Sequence, residues 1–170
     1  MIDRYSLPEM KNIWTLENKF QKWLDIEISA CEAHNKLGNI SNEDLKNIKE
    51  KASFTVSRID EIEKDTNHDV IAFLTNLAEN IGESSRFVHM GLTSSDIGDT
   101  AISLLLKEAS DLLIKDIEDL CVILKEKALA TKDVVMIGRT HGIHAEPMTF
   151  GLKFLLWYEE MQRNLTRIKK

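Results

Sequence analysis

The sequence predicts an all-α fold, an N-terminal helical domain followed by the first long helices of a helical bundle, and three observations carry that prediction. The 170 residues include 7 glycines and 2 prolines, so helix-breaking positions are few and each is informative. Apolar residues recur at the spacing of a helix face along most of the chain. The longest stripe, Ile102, Leu105, Leu106, Ala109, Leu113, Ile117, Leu120 and Leu124, implies a helix of about thirty residues, longer than most globular helices and suited to a bundle.

The first stripe begins near Trp14 and runs through Leu16, Phe20, Trp23, Leu24, Ile28, Cys31 and Leu37. Thr15 is its expected N-cap, and Gly38 sits where a helix end favours glycine. Ser41-Asn-Glu-Asp44 resembles a capping box opening a shorter helix, and the stretch 54–62 adds another turn or two. Val70, Ile71, Leu74, Leu77, Ala78 and Ile81 form the next stripe, which follows a loop at 65–69 and ends at Gly82. The polar segment 91–98 leads into the long helix, and a boundary near Leu92 would separate a domain over 1–92 from a bundle portion over 93–170. After Asp133, Val134-Val-Met-Ile137 reads as an extended approach to the stretch between Gly138 and Gly151. A last helix starts near Met148 or Thr149 and reaches Lys170 without a cap, glycine or proline. The expectation is therefore the front portion of a longer protein, cut inside a helical bundle.

A net charge of -6 and a pI near 5.4 argue against a nucleic-acid or anionic-membrane surface, which needs an excess of Lys and Arg. A small anionic ligand stays open through local donors. Cys31 and Cys121 lie far apart without a CxxC spacing, the pattern of buried thiols in a reducing cytosol. No apolar run reaches the roughly 18 residues of a membrane span, and the N-terminus lacks a signal-peptide core. A soluble, cytoplasmic protein is expected.

The stretch GRTHGIHAEPMTFG, Gly138 to Gly151, interrupts the helical pattern. Gly138 and Gly142 free the backbone and Pro147 discourages helix through Glu146, so a shaped loop is expected. It carries Arg139, Thr140, His141 and His144, and histidine is the natural acid or base near neutral pH. Locally, the plainer reading is that these side chains satisfy loop carbonyls and cap the next helix. His141 and His144 alone would make an incomplete metal site. Thr93-Ser94-Ser95-Asp96 reads as an N-cap whose hydroxyls and free amides also suit an anion. His68 and His89, taken singly, read as ordinary histidines, and Arg4-Tyr5 as a frayed tail.

Together, RYSLPEM, EIEKDTNHDVIAF, HMGLTSSDIGDTA and GRTHGIHAEPMTFGLK, in this order and over essentially the whole chain, resemble the adenylosuccinate lyases of the fumarase/aspartase superfamily. HGIHAEP is the specific element, because fumarase-like relatives place Leu-Gln after the corresponding Thr-His. The resemblance implies a β-elimination releasing fumarate from adenylosuccinate and from the succinylated aminoimidazole carboxamide ribotide of purine synthesis, with no cofactor and no metal. It makes His141 the general acid, with His68 assisting it or holding substrate. Arg4 and Tyr5 match nucleotide contacts, and Thr93 and Ser94 match hydroxyls that bind the succinyl carboxylates. Asp69 and Thr140 orient the histidines or the substrate, and Asn67 and His89 complete the substrate-binding set. Asn67 departs from the arginine common in the family, removing a cation near an anionic ligand. The resemblance further implies a homotetramer whose active sites draw on three subunits. The superfamily's loop with the catalytic serine base does not occur in these 170 residues, so the chain alone is expected to be inactive. The alternative is a non-catalytic helical interaction module with a lyase-like fold, against which the retention of Arg4, Tyr5, His68, His89, Thr93, Ser94 and His141 speaks. Among enzymes, an argininosuccinate- or carboxymuconate-type relative is the runner-up.

Overall fold

The computed structural model describes residues 2–170. After a 3-10 turn at Asp3–Tyr5, the helices are α1 (Pro8–Ile13), α2 (Leu16–Lys36), α3 (Asn42–Lys51), α4 (Val56–Thr66), α5 (Asp69–Ile81), α6 (Ser94–Ala130) and α7 (Phe150–Ile168). A second 3-10 segment, Gly82–Phe87, follows α5, and strands β1 (Val135–Thr140) and β2 (Ile143–Thr149) lie between α6 and α7. The chain divides into two compact units, Met1–Glu108 and Ala109–Lys170, with α6 contributing to both.

Local signals set most helix ends. The Thr15 hydroxyl accepts the Asn18 N–H and the Ser41 hydroxyl accepts that of Asp44, each satisfying an amide the first turn leaves unpaired. Gly38 adopts φ 80° just past α2, and Gly82 adopts φ 79° after α5, a conformation that favours glycine. The loop expected at 65–69 shrinks to two residues, because α4 continues to Thr66 and α5 starts at Asp69.

The core of the first unit is an aromatic cluster on which α2 and α5 meet. Phe20 stacks on Phe73 with centroids 5.7 Å apart, and Trp23 meets Phe73 edge-on at 5.5 Å, geometries that satisfy the ring quadrupoles. Phe73, Ile59, Ala72 and Ile97 are fully buried, so the start of α6 is packed into the same core through Ile97 and Ala101.

In the second unit, the stretch expected to be a loop is a β-hairpin. β1 and β2 pair antiparallel from Val135↔Thr149 to Thr140↔Ile143. The ladder slips between Ile137↔Pro147 and Arg139↔His144, so that Ala145 and Glu146 together face Gly138, a bulge of one residue. A Cβ on Gly138 would lie 2.9 Å from the Glu146 carbonyl oxygen, which explains a glycine there. The breakers that suggested a loop are the residues a tight, bulged hairpin needs.

Gly151 locks the hairpin to the helices flanking it. Its N–H donates to the Thr131 carbonyl at 2.9 Å, the Phe150 N–H donates to the Val134 carbonyl at 2.8 Å, and the Thr149 hydroxyl caps α7 by accepting the Leu152 N–H. A Cβ on Gly151 would collide with the Ala128 carbonyl oxygen and sit 2.6 Å from the Lys132 Cα. Both obstacles are backbone, so Gly151→Ala is expected to destabilise this unit by about 1–3 kcal/mol. Thermal denaturation checks this, and an unchanged Tm would contradict the close approach.

Candidate active site

Three non-glycine residues among those described have positive φ: Asn67 at 50°, His89 at 66° and His141 at 47°. All three belong to the candidate site set. Left-handed backbone is disfavoured outside glycine and persists where surrounding structure imposes it, often at functional positions.

His141 and Gly142, with φ of 47° and 76°, are the two central residues of the hairpin turn. Positive φ at both is the requirement of a type I′ turn, whose twist matches that of the flanking strands. His141 therefore stands at the hairpin tip with its side chain exposed, and Thr140, the last residue of β1, is exposed beside it. Lower on the ladder, the Arg139 guanidinium approaches His144 Nε2 at 3.5 Å.

At the corner between α4 and α5, Asn67 ends α4 in the left-handed region, its N–H donating to the Glu63 carbonyl at 2.8 Å. Asparagine tolerates that region better than most other residues do, so Asn67 is a residue the local backbone favours. His68 caps α5, with Nδ1 accepting the Ile71 N–H at 3.4 Å. Accepting at Nδ1 leaves the ring proton of the neutral form on Nε2. Asp69 accepts the Val70 N–H at 2.8 Å through Oδ1, and its Oδ2 lies 3.8 Å from Lys19 Nζ, an ammonium that sits 4.5 Å over the Trp23 ring.

His89 is held twice by Glu27. Its backbone N–H donates to Oε2 at 2.8 Å, and its ring Nδ1 lies 2.6 Å from Oε1. Glu27 is 1% exposed, a carboxylate on the apolar stripe of α2 between Leu24 and Cys31. Sequence reasoning missed it, although a lone acid on an otherwise buried face was the available signal. The same face of α2 holds the neighbouring backbone: Cys31 Sγ faces the Phe87 carbonyl at 3.8 Å, and His34 Nε2 donates to the Met90 carbonyl at 3.0 Å. Burial, and then the Glu27 charge, push the Cys31 thiol up to about 11, so it is a neutral packing group.

At the head of α6, the Thr93 N–H donates to Asp96 Oδ2 at 2.7 Å, the reciprocal half of a capping box. Thr93 is exposed and Ser94 half-buried, beside a helix end that favours anions. Arg4 donates to the Tyr5 hydroxyl at 2.9 Å and lies over its ring, and both are exposed. Arg4, Tyr5, Asn67, His68, Asp69, His89, Thr93 and Ser94 thus belong to the first unit, and Thr140 and His141 to the second. Among the described residues, no group of three or more His, Cys, Asp or Glu side chains is placed to hold a metal ion, and no helix is long and apolar enough to cross a membrane.

The chain is 59% identical over all 170 residues to adenylosuccinate lyase of Bacillus subtilis (strain 168). It is 52% identical over the same length to adenylosuccinate lyase of Staphylococcus saprophyticus. It spans 39% of the length of each of these relatives. Among solved structures, 3-carboxy-cis,cis-muconate lactonizing enzyme from Pseudomonas putida superposes with a TM-score of 0.91 at 26% identity, over 97% of this chain and 39% of that one. Residues 4–170 match the family model described as "Lyase", and the chain belongs to that lyase family.

Proposed function

We propose that this chain forms part of an adenylosuccinate lyase, a cytosolic enzyme that eliminates fumarate from adenylosuccinate to give AMP, and from the succinylated aminoimidazole carboxamide ribotide of purine biosynthesis. One observation carries the reading: the imidazole of His141, inside the HGIHAEP element, stands exposed at the tip of a turn with no slack. The identity to enzymes of that name supports the choice of substrate.

In the reaction, a base removes a proton from the succinyl carbon next to the one bearing nitrogen. The electron pair passes first into the adjoining carboxylate and then forms the carbon–carbon double bond of fumarate as the C–N bond breaks. The departing nitrogen keeps the bonding pair and takes a proton from His141. His68 presents an Nε2–H donor from the rigid start of α5, fit to hold a substrate oxygen or assist the acid. Thr93 and Ser94, at the positive end of α6, suit the succinyl carboxylates, and Arg4 and Tyr5 suit the nucleotide. Asp69 and Thr140 orient the histidines or the substrate, Asn67 lines the same corner as His68, and His89 joins the binding set. The base, and the subunits of a homotetramer that complete each site, belong to the rest of the protein.

The test is the whole protein mixed with adenylosuccinate and followed by absorbance, with AMP and fumarate measured as products. Both are expected in equal amounts, and the 170-residue chain alone is expected to release neither. Turnover of argininosuccinate or a carboxymuconate instead would overturn the substrate. A folded whole protein inactive on all of them would favour a helical interaction module.

A further inference from the structure

Glu27 is a buried charge, and a carboxylate taken out of water is retained only when its oxygens are well matched with donors. Here each oxygen has a partner on the same residue, the backbone N–H of His89 on Oε2 and the ring Nδ1 on Oε1. The two partners differ in one respect. A backbone N–H can only donate, whereas a neutral imidazole donates from one nitrogen and accepts at the other. Facing a carboxylate at 2.6 Å, Nδ1 is the nitrogen that bears the proton, which in the neutral ring leaves Nε2 with the lone pair. His89 is also one of the three left-handed non-glycine residues among those described, at φ 66°, and the 87–91 segment is tied to α2 on either side of it through Cys31 and His34. Backbone, ring plane and tautomer are thus all set from one face of α2.

Resting on the function proposed above, we infer that Glu27 is a positioning residue for substrate binding: it fixes His89 as the Nδ1–H tautomer and aims Nε2 at the substrate. The logic is that of a carboxylate behind an active-site histidine, where exchange for an amide preserves shape and inverts the tautomer. In Glu27→Gln the amide carbonyl must face the backbone N–H, which cannot change role. The NH2 then meets Nδ1, which has to accept, and the proton moves to Nε2. The ring stays in place and presents a donor where it presented a lone pair.

The experiment uses the whole protein. Nitrogen-15 shifts of the histidine rings, assigned by the signal lost in His89→Ala, are expected to show protonated Nδ1 in the wild type and protonated Nε2 in Glu27→Gln. KM for adenylosuccinate should rise about 10- to 100-fold in Glu27→Gln, more than kcat falls. Glu27→Gln combined with His89→Ala should bind no more weakly than His89→Ala alone, since Glu27 acts through that ring. A wild-type ring protonated on Nε2 overturns the inference without any variant at Glu27, as does a tautomer unmoved in Glu27→Gln. An additive loss in the double variant would make Glu27 a folding residue only. A wild type that ignores adenylosuccinate would overturn the proposed function separately, while the ring shifts still decide whether Glu27 sets the tautomer.

Discussion

His141→Asn in the whole protein is expected to lower kcat by about 10²- to 10⁴-fold, the range a positioned general acid contributes, without lowering Tm. The two halves of this expectation have separate physical origins. His141 is exposed and adopts φ 47° at the first central position of the hairpin turn, so its side chain adds little packing, and its backbone is disfavoured for most residues. Asparagine followed by glycine is the preferred pair at that turn type, so the variant has a backbone at least as comfortable as the wild type. On the proposed mechanism it has lost the imidazole that protonates the departing nitrogen. Stopped assays with adenylosuccinate and a thermal scan of the same sample check both halves. A variant with wild-type kcat would remove His141 from the acid role, and one that loses activity only by unfolding would leave the turn geometry misread.

Phe73→Ala should destabilise the first unit by about 3–5 kcal/mol, the largest stability effect expected of a single side chain. Phe73 is fully buried and touches Phe20, Trp23 and Phe54 through its ring, so truncation leaves a void bounded by rigid aromatic planes that relax poorly. Against total stabilities of about 5–15 kcal/mol for a domain, the loss would populate the unfolded state. Denaturant titration followed by tryptophan emission is the measurement, because Trp23 packs against the missing ring. Phe73→Leu, which fills most of the space, should cost less. A loss below about 1 kcal/mol for the alanine variant would mean that the cluster collapses into the gap. Since α5 carries both Phe73 and, at its cap, His68, the same variant should also blur the position of that imidazole.

The helices were legible because their signals are local. Thr15, Ser41, Gly38 and Gly82 act on backbone a few residues away, and the stripes of α2, α5 and α6 follow one period. Short elements were not: α1 and the 3-10 segment Gly82–Phe87 are too brief to show a period. In the sequence the hairpin reads as a loop because Gly138, Gly142 and Pro147 are helix breakers, and their use in a bulge and a type I′ turn depends on pairing across the strands. The candidate residues could be named from motifs, but the left-handed backbone of Asn67, His89 and His141 could not, since residue type only weakly constrains φ. Glu27 was the furthest from reach. Its partner is 62 positions away, and along the sequence it looks like an interruption of an apolar face rather than the reason for one.

The two-residue turn at His141–Gly142 also limits how this segment can diverge. Along the strands, exposed positions such as Val135 and Ile143, 76% and 65% accessible, tolerate changes of side chain with little effect on the hairpin. Length is another matter. Inserting or deleting one residue at the tip would exchange the inward and outward faces of a whole strand, move the bulge away from Gly138, and turn the imidazole to a new direction. Relatives that keep this turn are therefore expected to vary at the exposed strand positions between 135 and 149 but not in count, and a gap there in any homologue would mark a protein that no longer presents its histidine in the same way.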